Sequence, residues 1–194
     1  MVRELDTSTW LDFARIVDKH HGVWGGCWCT AFHASPVEQR QTIASRREYK
    51  EKLVRANLSH SALVYDGPDV IGWCQFGRTA ELPARMKGMS NLGVDPPDWR
   101  ITCFFVDRDR RQQGVATAAL AGAVQMIAAG GGGTVDAYPI AVSEKTYSSG
   151  FLWGGTETMF AAAGFHRVGS LGTRKLVMRL QVGRRRAANV ESST

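Results

Sequence analysis

No stretch of this chain approaches the ~20 consecutive apolar residues that cross a bilayer as a helix. The first residues, Met1-Val2-Arg3-Glu4, open no apolar targeting region either, so a cytoplasmic location is expected and no membrane partner. Cysteine is scarce. Cys27, Cys29, Cys74 and Cys103 are too few, at this length, to form a disulfide framework. Zinc is poorly served too. Cys27, Cys29 and His33, with His20 or His21 nearby, could be counted as ligands, but Cys-x-Cys is a poor match to structural zinc spacing and no second cysteine pair occurs downstream. No metal is expected. Internal repeats are absent, as is any interleaved stripe of aromatic and basic residues, so nucleic acid is an unfavoured explanation of the net charge of +6.

The remaining composition fits one ordinary domain with a single sizeable core. Residues 1–182 read as that domain and 183–194 as a basic tail, carrying Arg184-Arg185-Arg186 and no apolar periodicity, that is expected to be disordered. A first helix capped by Ser8 or Thr9 runs to about Lys19, with Trp10, Phe13, Ile16 and Val17 as its apolar stripe. The glycine-punctuated, aromatic run from His20 to Cys29 suggests a substrate-side loop or an aromatic plug over a sheet. A longer helix is expected from Pro36 to about Asn57; its charges, Lys50 among them, suggest a solvated face. Ser61–Asp66 and Val70–Gly77 form a hairpin around Asp66-Gly67-Pro68-Asp69. Residues 78–98 are an irregular connection long enough to be functional or mobile.

The chain is organised around Trp99 to Gly133. Ile101 to Val106 reads as a buried strand, Asp107 to Arg110 as a solvated turn, and Val115 onward as a helix with Leu120, Val124 and Ile127 on one face. A loop that feeds directly into a helix start leaves N–H groups unpaired where the helix dipole is positive. With Arg108, Arg110 and Arg111 beside it, that loop is expected to bind phosphate or pyrophosphate, unless the arginines are merely solvated. Beyond it come a strand from Thr134 to Ile140, a Ser/Gly-rich loop holding Tyr147, Phe151 and Trp153, a short helix from Thr156 to Ala163, and two closing strands.

Arg111-Gln112-Gln113-Gly114-Val115-Ala116 resembles the Arg/Gln-x-x-Gly-x-Gly/Ala loop of the GNAT acetyltransferase superfamily, and Met159 to Phe165 resembles the helix and Gly-Phe turn that close that family's cofactor site. Trp73 to Gly77 and Trp99 to Asp107 look like a little-characterised bacterial branch. The resemblance implies a mixed α/β (α+β) fold, a mostly antiparallel central sheet flanked by helices in the order βααβββαβαββ. It implies direct transfer of an acetyl group from acetyl-CoA (coenzyme A) to an amine of a small molecule or peptide. The alternative is a catalytically degenerate domain that binds acyl-CoA as a sensor or scaffold. Acetyl-CoA and an amine acceptor are the partners expected, with a homodimer left open.

The same resemblance assigns roles. Backbone N–H groups of Arg111, Gln112, Gln113, Gly114, Val115 and Ala116, with Thr117 in the first helical turn, would hold the pyrophosphate. Phe105 or Val106 would supply the N–H that polarises the thioester carbonyl. Glu81, with Asp98 behind it, is the candidate base; Arg100 or Thr102 occupies the strand position where some relatives carry theirs. Many relatives place a tyrosine where this chain has Phe160, so Tyr138 becomes the candidate acid for the leaving thiolate, and a tyrosine at 160 would be tolerated.

Overall fold

The structure is a computed structural model that describes residues 1–33, 42–84, 88–141 and 153–184. Its elements are β1 (Val2–Glu4), α1 (Trp10–Lys19), α2 (Ile43–Arg55), β2 (His60–Asp66), β3 (Asp69–Arg78), β4 (Trp99–Val106), α3 (Val115–Ala129), β5 (Gly133–Ala137), α4 (Glu157–Ala162), β6 (His166–Leu171) and β7 (Lys175–Val182). The order of strands and helices is the one expected. The strands make one seven-stranded sheet in the order β1-β2-β3-β4-β5-β7-β6. Every neighbouring pair is antiparallel except β4 with β5. Among the described residues no helix is long and apolar enough to cross a membrane.

Each face of the sheet has its own core. On one face α3 lies across the sheet, where Val115, Ala119, Leu120, Ala123 and Ile127 meet Ala62, Cys74, Phe76, Ile101 and Phe104. Val124, expected on this stripe, is only half-buried, and small residues take its place. Gly122 lets α3 sit close, since a Cβ there would come within 2.5 Å of Val2 Cγ1. The other face is aromatic. Trp10 and Phe13 of α1 pack with Trp28, Trp73 and Phe105, and Phe13 meets Trp73 edge-on at 5.0 Å.

The loop from 20 to 29 is wound tightly. His21, Val23, Trp24, Trp28 and Cys29 all have positive φ, a conformation that non-glycine residues seldom adopt. Buried Trp28 makes it an aromatic plug, while Trp24 stands edge-on to Phe105. α2 begins later than the sequence suggests. Thr42 caps it by accepting a hydrogen bond from Ser45 N, and Pro36 lies outside the described residues. Nor is α2 wholly a solvated face, because Lys50 points into the protein and is 0 % exposed. β5 is shorter than expected and ends at Ala137, just before Tyr138-Pro139. Tyr147, Phe151 and residues 185–194 fall outside the described residues.

Candidate active site

The site begins where β4 and β5 part. Their ladder runs only from Trp99–Val135 through Arg100–Asp136 to Ile101–Ala137. One residue further, β4 carries a bulge against β3: Phe76 pairs with Ile101 but Gln75 with Cys103, so Thr102 is extra. A bulge bends its strand and re-aims the residues beyond it. The direction of the backbone past this point comes from one bond, in which Asp107 N donates to Ile71 O at 2.9 Å. Antiparallel ladders alternate residue by residue. Asp107, Phe105 and Cys103 therefore turn their N–H groups to β3, while Phe104 and Val106 turn theirs to the gap left by β5. Of the two N–H donors expected from the sequence, Val106 faces the gap and Phe105 does not. Phe104, which was not expected, does.

A cleft of about 490 Å³ runs along this open edge. Phe104, Phe105 and Val106 form its floor, Trp24 one wall, and Gly155, Thr156 and Met159 the other. At its far end lie Arg111, Gln112 and Ala116, at the start of α3. The approach to α3 is locally determined. Asp107 accepts from Asp109 N to cap a single helical turn at 108–110, Gln112 and Gly114 then take left-handed φ of 59° and 77°, and the helix starts at Val115. Such alternation turns successive N–H groups towards one point, beside the positive end of the helix. A Cβ built on Gly114 meets nothing within 4 Å, so glycine answers the backbone twist and leaves the space in front of it open.

The remaining predicted phosphate-site residues divide. Val115 packs its side chain in the core, whereas Gln113 and Thr117 are exposed, the Gln113 amide donating to Asp109 O. Arg111 lines the cleft, but Arg110 turns away to pair with Asp66 at 2.9 Å, and Arg108 is exposed.

A second cavity, of about 410 Å³, lies under the 79–97 connection. Leu82, Pro83, Met89, Val94, Pro96 and Pro97 make most of its wall, and Arg100 and Tyr138, with Thr79 and Ser90, supply its polar part. Arg100 and Phe104 are four strand residues apart, roughly 13 Å along β4, so the strand links this cavity to the cleft. Tyr138, 3 % exposed, accepts a hydrogen bond from Arg100 Nε at 3.2 Å, and burial raises its phenol above the usual range. It lines this cavity and not the cleft.

Glu81 lines neither. Its Oε2 accepts from Arg78 N at 2.7 Å and lies 3.6 Å from His60 Nε2, so the carboxylate closes the end of β3. Asp98 accepts from Thr134 N and holds the start of β5. Phe160 is fully buried, edge-on to Phe104 and Phe165.

Behind β4 runs a buried polar chain. The Glu81 carbonyl can only accept, so His33 Nδ1 donates to it at 2.9 Å, and His33 Nε2 must accept from Ser59 Oγ at 3.1 Å. Ser59 Oγ and Gln75 Oε1 in turn accept from Lys50 Nζ, and Gln75 Nε2 donates to Thr102 Oγ1 at the bulge. Burial, with the Lys50 charge as a lesser cause, takes His33 down to about 3, which keeps it neutral. Burial takes Lys50 down to about 8.

Sequence reasoning missed Phe104, because a one-residue bulge reverses which residues face the gap and leaves no compositional mark. It missed Gly155 and Thr156 as cleft walls, although glycine before a helix-capping threonine was a usable signal.

No curated protein sequence matches the chain. Among solved structures, an aminoglycoside 6′-N-acetyltransferase complexed with coenzyme A superimposes with a TM-score of 0.57 at 15% identity, covering 96% of this chain and 99% of that one. An N-acetyltransferase from Staphylococcus aureus Mu50 gives 0.53 at 17% identity, covering 94% and 98%. A ribosomal-protein-alanine N-acetyltransferase from Brucella melitensis gives 0.53 at 13%, covering 93% and 99%. At such identities these likenesses speak for the fold. The acetyltransferase (GNAT) family model matches residues 24–147, from the aromatic plug past the end of β5, and the chain belongs to that family.

Proposed function

We propose that the protein is an N-acetyltransferase that uses acetyl-CoA as donor and a small amine as acceptor. The observation that carries this reading is the pair of N–H groups of Phe104 and Val106, facing a cleft that ends at the left-handed loop before α3. Acetyl-CoA, when bound, supplies an activated acyl group as a thioester. The N–H groups from Arg111 to Ala116 hold its pyrophosphate, with Arg111 beside them. Phe104 N–H and Val106 N–H run along the pantetheine arm and polarise the carbonyl as it gains negative charge. The amine nitrogen attacks that carbon, the C–N bond forms, the C–S bond breaks, and the electron pair leaves with sulfur. On becoming an amide the nitrogen sheds its second proton to water, and Tyr138, kept protonated by burial in the neighbouring cavity, passes its own proton to the thiolate through water and recovers one from it. No carboxylate among the described residues lines the cleft or the cavity, so the first proton of the ammonium leaves through water, and Glu81 acts through that water.

A second reading has its own support. The absence of a described carboxylate from both walls, together with Phe160, suits a domain that binds acyl-CoA without turnover. Thiol release from acetyl-CoA over a panel of amines separates the two, since a binder gives no acceptor-dependent rate.

The donor site is tested by Gly114→Glu, which adds a side chain and a like charge where the pyrophosphate would sit. Acetyl-CoA at a hundred times its dissociation constant should stabilise the wild type by about 2.7 kcal/mol. The variant should lose that shift. An undiminished shift would refute the loop assignment.

A further inference from the structure

The cavity under the 79–97 connection is lined by a cation that the fold does not neutralise. Arg100 is 5 % exposed and lies within salt-bridge distance of no carboxylate among the described residues. Its cross-strand neighbour Asp136 is already engaged, because Arg179 Nε and Nη2 reach both its oxygens at 2.7 and 2.9 Å. Arg179 thus claims the carboxylate nearest to Arg100 in register, and Arg100 is left with none. A buried charge that has hydrogen bonds but no counter-ion is favourably completed by an anion.

The geometry of Arg100 shows where that anion would bind. Nη1 donates to the carbonyls of Leu82 and Ala84, and Nε to Tyr138 Oη. The rings of Tyr138 and Phe32 hold the guanidinium at 5.2 and 5.7 Å from their centroids. Nη2 makes no hydrogen bond among the described residues and is not among the buried polar atoms sealed from solvent. On so buried a side chain, the opening left to Nη2 is the cavity that Arg100 lines. The Tyr138 hydroxyl, which accepts from Nε, lies on the same side of the guanidinium as Nη2. Around this pair the wall is apolar, apart from Thr79 and Ser90.

We infer that this cavity recognises a carboxylate, and that the acceptor is an amino acid or similar amino-carboxylate with an apolar body. Arg100 Nη2 donates to one of its oxygens, a charge-assisted hydrogen bond that guanidinium makes well. The acceptor identity rests on the acetyltransferase reading; the carboxylate site itself does not.

The test therefore reads binding without turnover. A panel of N-acetyl-amino acids and their matching neutral amides is titrated calorimetrically into the protein, with and without coenzyme A. At least one acid should bind tenfold or more tighter than its amide, and Arg100→Gln should abolish the difference. Because Arg100 also holds the 82–84 turn, Ser90→Glu serves as a second variant. It places a carboxylate on the exposed rim of the same cavity and should likewise remove the preference for acids. Equal binding of acids and amides, no binding by any acid, or a preference that survives both variants would overturn the inference. Failure of the acetyltransferase reading looks different: acids still bind Arg100, but no amine acceptor draws thiol from acetyl-CoA.

Discussion

Lys50 gives the most quantitative test of the polar chain behind β4. It is fully buried, donates to Ser59 and Gln75, and forms no salt bridge among the described residues. Burial lowers its ammonium from 10.5 to about 8. The unfolded chain keeps that proton up to the higher value and the folded chain only to the lower, so between them the unfolded state binds more protons. Stability must then rise with pH across this window. At about 1.36 kcal/mol per pH unit the whole window amounts to on the order of 3 kcal/mol, of which about 1 kcal/mol should appear between pH 7 and pH 9. Urea unfolding of the wild type and of Lys50→Met, in reductant at pH 7, 8 and 9, reads this contribution. Methionine leaves Ser59 and Gln75 without their donor, so the offset between the two proteins mixes several effects, while their difference in slope reports Lys50 together with the thiols of Cys27, Cys29 and Cys103 that its charge influences. The wild type should gain about 1 kcal/mol on the variant as pH rises. Parallel pH profiles would show that Lys50 is not held as a buried, destabilised cation.

His33 predicts the opposite limb. Its folded value near 3 lies below the ordinary 6.5, so its contribution is present above 6.5 and is lost as pH falls towards 3. The wild type should lose about 2–3 kcal/mol between pH 6 and pH 4 that His33→Asn does not, read by the same unfolding experiment. Tyr138→Phe should lower turnover about tenfold with acetyl-CoA affinity unchanged; full turnover at saturating substrates would leave protonation of the thiolate to solvent. Phe160→Tyr, which the sequence suggested would be tolerated, should instead lower stability by about 1–3 kcal/mol, since a hydroxyl would be buried between Phe104 and Phe165. An unchanged melting temperature would refute that.

Periodicity carried most of the fold. The strand from Ile101, the turn at Asp107 and the helix from Val115 are local events, each fixed by residues within a turn of one another, and the structure has them with the strand opening two residues earlier, at Trp99. The features that escaped depend on partners distant in sequence. Lys50 sits in a helix whose charges suit solvent, and only Ser59 and Gln75, brought in by β2 and β3, explain why it turns inward. Arg110 looks like a phosphate ligand until Asp66 of the neighbouring hairpin claims it. Glu81 looks free in an irregular loop, yet it closes its own strand. The backbone of the loop before α3 was therefore legible and the lining of the cleft and the second cavity was not, because each is assembled from segments distant in sequence.

The parting of β4 from β5 also bears on how this sheet avoids joining to others. An unpaired strand edge is a template for another chain. The outer edges here are poor templates: β1 has three residues, and β6 pairs irregularly with β7 around Arg167 and Gly169. The unpaired length of β4 lies instead in the middle of the sheet, between Trp24 and Met159. Hydrogen-bonding groups that would promote aggregation at a border are thus kept in a walled slot, where the chain can retain them without inviting a second copy of itself.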